Sequence, residues 1–234
     1  MSIIQHKGNP LGIKVTDSAS MLEVIKTFGI IPFFSNPVPG YSIEDLTPPG
    51  SWFSDENLGP WDWKVDVVNS GDIVYGKFLC GGKAAFATPE WYAHLRNWRL
   101  SQEKYSPTPE GQKVLDLIEK EGSCVSRQVR ELLGVKKSKS DSVLASLMNG
   151  TRLIIGDIQR VYNGPNLDYK GWQTASYCSP ESLFERPAEE FGPWHIGGST
   201  LKCGCSPEES YAKLKGRIQQ LFPEITEIQT TKII

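Results

Sequence analysis

The 234-residue sequence predicts an α+β protein, and three observations support that prediction. Five of the seven tryptophans fall between residues 52 and 98, among short runs in which residue character alternates as it does in strands. From Thr108 to Gly150, apolar residues recur at helical spacing. A β-branched stretch typical of paired strands then follows. We therefore expect an aromatic-rich N-terminal α+β region (1–106), a mainly helical middle (107–185) and a smaller C-terminal unit (186–234).

The composition and charge are those of an ordinary globular protein. Hydrophobic residues make up 39% and charged residues 22%, so no long disordered tract is expected. No apolar run approaches the ~18 residues that a membrane span needs, and the first residues lack the pattern of a signal peptide. The five cysteines are odd in number and scattered, which does not indicate a disulfide framework. We expect a reduced, cytoplasmic protein that does not bind membranes.

The first predicted element is a helix in DSASMLEVIKTFG. Ser18 or Ser20 supplies a capping oxygen, an apolar stripe follows at helical spacing, and Gly29 ends the helix. Five prolines between residues 32 and 49 then exclude a regular helix longer than a turn or two. One such turn is predicted at SIEDL.

The aromatic-rich stretch predicts a hairpin and a second helix. DIVYGKFL and AAFAT alternate on either side of Gly81 and Gly82, which indicates two strands joined by a tight turn. Thr88, Pro89 and Glu90 then serve as cap, first-turn proline and N-terminal carboxylate of the helix EWYAHLRNWRL. The segment GPWDWK before the hairpin is interpreted as a loop held by its two rings.

The middle of the chain predicts three helices and a ribbon. TPEGQKVLDLIEKEG, SRQVRELLG and SKSDSVLASLMNG each place apolar residues on one face and end at a glycine. TRLIIGDIQRVYNG and WQTASY are two strands joined by a turn. Three helices with a short middle one, followed by a two-stranded ribbon, predict a winged helix-turn-helix. In that fold the third helix is exposed for the DNA major groove, and the ribbon tip reaches the flanking backbone.

The C-terminal part predicts a strand-helix-strand unit. SPEES, which begins at Ser206, places a capping serine, a proline and acidic residues at the start of a long helix. HIGGSTLKCG before it and EITEIQTTKII after it are interpreted as strands. Cys203 and Cys205 offer two thiolates, but the nearest histidine along the chain is His195 and no second cysteine pair lies nearby. We therefore predict no metal site and no cofactor.

Positive charge is concentrated in the middle of the chain. Between Ser126 and Arg152, six basic residues stand against two acidic ones, a local charge of +4 in a chain whose net charge is −2. Such an island indicates contact with phosphate, and the alternative is a solvated turn in a winged helix that binds protein. We expect double-stranded DNA as the partner. The predicted contacts are Arg127, Lys136, Lys137, Lys139 and Ser140, with Arg160 and Lys170 from the ribbon.

The aromatic cluster offers a second candidate site. A pocket between Trp61, Trp63 and Tyr75, with Lys77 at its mouth, would suit an unstacked base or another flat ligand. The alternative interpretation is that these rings belong to the core, where aromatic side chains are commonly buried.

Several stretches resemble a known family. They are VIKTFGIIPFFSNPVPGYS, GPWDWK, GDIVYGKFL with the following KAAF and EWY, and YCSPESLF. Together with the three helices and the ribbon, they resemble an AlkZ-related group of bacterial proteins over most of the chain. That group is distantly similar to AlkZ, a family of winged-helix DNA glycosylases that excise alkylated or crosslinked bases. The resemblance implies a winged helix and a role on damaged DNA.

The sequence departs from the glycosylases at the residues that the resemblance implies are catalytic. There, the first helix leads into a leucine, a glutamine, a hydrophobic residue and an aspartate or glutamine, and the two polar side chains act at the sugar. Alignment at Gly29 places Ile31, Pro32 and Phe34 at the leucine and the two polar positions. Loss of each such group costs roughly 3–4 kcal/mol of transition-state stabilisation. We therefore expect DNA binding without that catalysis; the alternatives are an enzyme with relocated catalytic residues and a protein-interaction module.

Overall fold

The computed structural model describes residues 12–52, 59–184 and 201–234, which form an α+β fold with one antiparallel sheet. The helices are α1 (Ser18–Phe28), α2 (Ile43–Leu46), α3 (Gly59–Asn69), α4 (Pro89–Leu100), α5 (Pro109–Glu121), α6 (Ser126–Leu133), α7 (Lys137–Asn149), α8 (Pro180–Phe184), α9 (Pro207–Leu221) and α10 (Glu227–Ile233). The strands are β1 (Ile30–Pro32), β2 (Val74–Leu79), β3 (Lys83–Ala87), β4 (Ser123–Val125), β5 (Ile154–Asn163) and β6 (Asp168–Cys178).

The six described strands follow the order β1-β3-β2-β5-β6-β4 in the sheet. The predicted hairpin is present as β2 and β3, and the predicted ribbon as β5 and β6. Tyr75 of β2 also pairs with Ile155 of β5, so the sheet continues from the hairpin into the ribbon. The N-terminal and middle regions expected from the sequence therefore share one sheet.

Helix α1 is present as predicted, but its cap differs. The Asp17 carboxylate accepts a hydrogen bond of 2.7 Å from the Ser20 amide, and the Ser20 hydroxyl accepts one of 3.0 Å from the Asp17 amide. This reciprocal capping box makes Asp17 the cap, where the sequence suggested Ser18 or Ser20. Gly29 ends the helix at a φ of 80°, where a β-carbon would overlap the indole of Trp91.

The interpretation of GPWDWK as a loop is wrong, because the segment begins helix α3. Pro60 fits this first turn, since an amide hydrogen at that position would have no partner within the helix. The helical period then separates the two rings, which lie about 200° apart around the axis. Trp61 is 44% exposed, whereas Trp63 is 8% exposed.

Helices α5, α6 and α7 pack around a hydrophobic cluster of their own. Thr108 caps α5 as predicted, and its hydroxyl accepts a hydrogen bond of 3.1 Å from the Gly111 amide. Gly134 ends α6 at a left-handed φ of 63° and turns the chain towards α7. The buried side chains of this cluster are Val114, Ile118, Cys124, Val129, Val143, Leu144, Leu147, Met148 and Leu153.

The predicted C-terminal strand is a helix, α10. The Thr226 hydroxyl accepts a 3.2 Å hydrogen bond from the Gln229 amide, and the Gln229 side chain accepts a 2.9 Å bond from the Thr226 amide. This capping box starts the helix and outweighs the β-branched composition that suggested a strand. Helix α9 is present as predicted, with Ser206 as its cap.

The strand expected before α9 is not formed where the structure describes it. Residues 201–204 adopt no strand, and residues 195–200 of the same segment lie outside the described ranges.

The larger hydrophobic cluster lies between the sheet and the helices from both ends of the chain. It includes Phe28 of α1, Phe86 of β3, Tyr92 of α4, Leu214 of α9 and Ile233 of α10, all of them buried. Within the ranges given above, no helix is both long and apolar enough to cross a membrane.

Candidate nucleic-acid interface

A cavity of about 550 Å³ lies where the sheet passes from β2 to the ribbon. Strands β2, β5 and β6 line one side, α3 lines another, and α6 and α7 line a third. Three of the four predicted pocket residues, Trp61, Tyr75 and Lys77, line this cavity, and so do the predicted DNA contacts Arg127 and Lys137. The two candidate sites expected from the sequence therefore meet in one place.

The fourth predicted pocket residue, Trp63, does not line the cavity. Its ring belongs to the larger hydrophobic cluster, because the helical period of α3 turns it away from Trp61. The alternative that the sequence left open, a ring buried in the core, therefore describes Trp63.

The rim of the cavity is positively charged. Arg127, Arg130 and Lys137 line both the cavity and a neighbouring groove of about 370 Å³, to which Lys136 also contributes. The Arg127 and Lys137 side chains are 78% and 74% exposed, so a polyanion can reach them. Lys139 and Lys170 are also exposed, but neither is among the residues that line the cavity or the groove.

Two of these cations form ion pairs within their own helix. Arg127 donates to Glu131 at 2.7 Å, and Lys137 donates to Asp141 at 2.8 Å. Exposed pairs of this kind contribute less than about 1 kcal/mol. A phosphate oxygen can therefore replace either carboxylate at small cost.

The positions of Ser140 and Arg160 do not suit the role in DNA contact that the sequence predicted for them. Ser140 has no exposed surface, and its hydroxyl donates to the Lys137 carbonyl at 2.9 Å. Its spacing from the buried residues Val143 and Leu144 is three and four positions, a signal that already placed it on the core face of α7.

Arg160 is held by two carboxylates of α3. Its Nε donates to Asp62 at 2.9 Å, and a terminal nitrogen donates to Asp66 at 2.9 Å. The hydrogen bond to Asp62 and, to a smaller extent, the bond to Asp66 raise the pKa of the Arg160 guanidinium. Burial has the opposite effect and lowers it. Arg160 therefore fixes the ribbon to α3 and is not free to bind phosphate.

Lys64 is a cavity residue that sequence reasoning missed. It is 4% exposed, and its Nζ donates to Gln173 Oε1 at 2.6 Å and to the Trp61 carbonyl at 3.2 Å. The same nitrogen lies 3.2 Å from the centroid of the Trp61 ring. Burial lowers the pKa of Lys64 to about 7, although nearby Asp62 opposes that shift. Recognition of GPWDWK as a helix would have revealed the position, one turn after Trp61.

The positions aligned with the glycosylase polar pair lie apart from the cavity lining. Pro32 is buried in β1, and the Phe34 ring packs edge-on against Phe33 at 4.8 Å between centroids. The neighbouring acids Glu44 and Asp45 accept hydrogen bonds from the Ser35 amide and hydroxyl. These carboxylates therefore stabilise the local turn.

A second group of chemically active side chains lies away from the cavity. His94 of α4 and the two cysteines 203 and 205 have ligand atoms within 4.8 Å of one another. The cysteine pair was visible in the sequence, but its histidine partner was not, because His94 is remote from the cysteines along the chain.

Comparison with known proteins gives one match. The profile of the family described as AlkZ related matches residues 15–234, nearly the whole chain. No curated protein matches the chain, and no solved structure does. The match covers every helix and strand described above and agrees with the resemblance carried by the N-terminal segments. The chain therefore belongs to the AlkZ-related family.

Proposed function

We propose that this protein binds double-stranded DNA along α6 and α7 and that its cavity receives a nucleotide rotated out of the base stack. The observation that supports this most strongly is the position of the exposed Arg127 and Lys137 and the partly exposed Arg130 on the rim of a cavity that Trp61 also lines. Phosphate contacts and a stacking surface for a single base would then belong to one site.

The proposal includes a winged helix-turn-helix over the middle of the chain. Three observations support it: α6 and α7 are joined by a short turn at Gly134, β5 and β6 form a ribbon, and β4 pairs with β6 beside it. In this arrangement α7 is the helix that enters the major groove. Its exposed face offers Lys136, Lys137, Ser138 and Lys139 at the N-terminal end, where recognition helices contact DNA.

The cavity suits a nucleotide in both size and chemistry. Its volume of about 550 Å³ lies within the ~300–1,000 Å³ of typical small-molecule pockets. The exposed ring of Trp61 offers a stacking surface worth about 1–3 kcal/mol per base. Lys77 and Arg130 also line the cavity and offer positive charge to the sugar-phosphate of the same nucleotide.

Fluorescence anisotropy with labelled DNA tests this proposal. Intact duplex, duplex with one abasic site and single-stranded DNA are titrated at several salt concentrations. We expect binding to duplex, tighter binding to the abasic duplex because the unpaired base opposite the abasic site leaves the stack at lower cost and stacks on Trp61, and affinity that falls with salt. Unchanged anisotropy with every DNA at low salt contradicts the proposal.

Two variants distinguish what the cationic rim contributes to DNA binding from what the cavity contributes. Arg127→Gln/Lys137→Gln is expected to weaken binding to all duplexes at least about tenfold and to reduce the salt slope by roughly 2, one unit per phosphate contact. Trp61→Ala is expected to remove the preference for the abasic duplex while binding to intact duplex persists. Lys83→Gln, an exposed lysine of the hairpin that lines neither the cavity nor the groove, is the matched control and should bind as the wild type does.

A second candidate function, covalent chemistry on an abasic site, is favoured by Lys64. An amine on a cavity wall whose pKa is lowered to about 7 is partly neutral at neutral pH and is then a nucleophile for an aldehyde. The Lys64 nitrogen would attack C1′ of the ring-opened abasic sugar. A carbon-nitrogen bond forms, and the aldehyde oxygen leaves as water with the two amine protons, which yields an imine.

Borohydride trapping tests this second candidate. Reduction of the imine to a secondary amine should link wild-type protein to abasic DNA as one band on a denaturing gel. Lys64→Arg, which cannot form the imine, should lose that band but still bind abasic DNA in the anisotropy assay. Lys77→Arg is the control and should trap normally. If wild-type protein binds abasic DNA without trapping, the covalent chemistry fails while DNA binding stands.

A further inference from the structure

Three metal-binding side chains from two distant parts of the chain meet beside α9. His94 lies on α4 and is 5% exposed, whereas Cys203 and Cys205 precede α9 and are partly exposed. Gly204 between the cysteines has a φ of 61°, a left-handed conformation that turns both thiols towards α4. From this geometry we propose that His94, Cys203 and Cys205 bind one zinc ion.

The spacing of the ligand atoms is close to that of a tetrahedral zinc site. Zinc lies about 2.3 Å from thiolate sulfur and about 2.0–2.1 Å from imidazole nitrogen, which sets ligand-to-ligand separations of roughly 3.5–3.8 Å. The three ligand atoms here all lie within 4.8 Å of one another. Small side-chain rotations are sufficient to close the site around the ion.

Neighbouring polar groups hold the ligands in place. The Ser210 hydroxyl lies 3.2 Å from His94 Nδ1 and 3.4 Å from Cys203 Sγ. Asn97 donates to Ser210 Oγ and to the Cys205 carbonyl, each at 2.9 Å. Such outer partners orient the ligands of metal sites and are important for metal affinity.

A lysine also lies beside one of the two sulfur ligands. Lys213 Nζ donates to Cys205 Sγ at 3.2 Å. Two thiolates and one imidazole form a donor set that selects zinc over magnesium or calcium, which prefer oxygen ligands. Within the described ranges, no fourth His, Cys, Asp or Glu joins the three.

The consequence of zinc binding would be structural. The ion would join α4 to the segment that leads into α9, and these two helices already pack together through Trp98 and Tyr211, whose rings stack at 4.5 Å between centroids. Because the folded chain assembles the ligands and the unfolded chain does not, zinc should stabilise the fold.

Titration of the full-length, metal-stripped protein with Co²⁺ tests the zinc site. A tetrahedral site with two thiolates gives a sulfur-to-cobalt charge-transfer band in the near ultraviolet together with d–d bands in the visible. We expect these bands to saturate at one equivalent of Co²⁺ and to disappear when Zn²⁺ is added. We also expect Zn²⁺ to raise the midpoint of thermal unfolding.

Matched variants assign the ligands. Cys203→Ser/Cys205→Ser should abolish the charge-transfer band, and His94→Gln should weaken it. Cys80→Ser removes a partly exposed thiol outside the group and should leave the spectrum unchanged. Circular dichroism checks that each variant is folded. Absence of the band from wild-type protein, or its survival in Cys203→Ser/Cys205→Ser, overturns the proposal.

Discussion

At the scale of single residues, burial decides the chemistry of the cavity lysines. Lys77 is exposed in β2, whereas Lys64, on the adjoining wall, is buried against Trp61. Removal from water disfavours the charged ammonium, and the neutral partners Gln173 Oε1 and the Trp61 carbonyl offset only part of that cost. Lys77 is thus suited to phosphate contact and Lys64 to nucleophilic chemistry.

The lowered pKa of Lys64 predicts how stability depends on pH. Burial lowers the pKa of Lys64 in the folded protein to about 7, whereas the unfolded chain keeps the ordinary pKa of 10.5. Between these values the unfolded state binds more protons, so the contribution of Lys64 to stability rises with pH and is lost as pH falls towards 7.

Urea unfolding of wild-type protein and Lys64→Met at pH 7 and pH 9 measures this effect. We expect the free energy of unfolding of the wild type, relative to Lys64→Met, to rise by about 1–2 kcal/mol over that interval. A constant difference between the two proteins would show that Lys64 keeps its proton when folded.

At the scale of secondary-structure elements, a partly buried group of ion pairs fixes the ribbon to α3. Arg160 of β5 contacts Asp62 and Asp66, which lie one turn apart on the helix. Asn69, one turn further, donates to the Ile158 carbonyl at 2.8 Å and accepts from the Ile158 amide at 3.0 Å. The ribbon and α3 therefore form two walls of the cavity whose separation is set by these four side chains and backbone groups.

The loss of this contact should affect stability more than DNA binding. Arg160→Gln removes charged hydrogen bonds on a side chain that is 25% exposed, at a cost of about 1–3 kcal/mol of unfolding free energy. Because Arg160 is already paired, intact-duplex affinity below the unfolding temperature should stay within about twofold of wild type. Thermal unfolding and anisotropy measure the two effects. Lys170 is an exposed residue of the same ribbon, and Lys170→Gln should leave the free energy of unfolding unchanged.

At the scale of the whole molecule, the two hydrophobic clusters are joined through the sheet. Tyr75 pairs with Ile155, and Ile155 packs against both clusters. Shared strands and side chains of this kind favour unfolding in one cooperative transition.

A substitution that removes side-chain volume from the smaller cluster tests whether the two clusters unfold together. Val129 is fully buried there, and Val129→Ala is expected to cost about 2 kcal/mol. None of the described tryptophans belongs to that cluster, whereas Trp63 lies in the larger one and Trp52, Trp91 and Trp98 pack against it. Tryptophan fluorescence therefore reports mainly on the larger cluster. We expect the fluorescence and circular dichroism transitions of Val129→Ala to shift together. A fluorescence midpoint that stays at the wild-type value would instead support independent N-terminal and middle regions.

The elements predicted correctly are those with local signals. Thr108 and Ser206 start α5 and α9 because a cap bonds to an amide only three residues away, and apolar spacing marks the buried face of each helix. The same rules were available for α3 and α10, but aromatic content in the first and β-branched content in the second favoured the wrong interpretation. The stretch of positive charge between Ser126 and Arg152 is likewise visible in the sequence alone.

The sequence by itself determined the α+β class, most helix starts and the charged segment. Only the tertiary structure decided which of those residues meet. Pairing of β2 with β5 places Trp61 and Lys77 opposite Arg127 and Lys137, and the packing of α9 against α4 places His94 beside two cysteines. Contacts between residues so far apart depend on chain topology, for which local sequence patterns carry no signal.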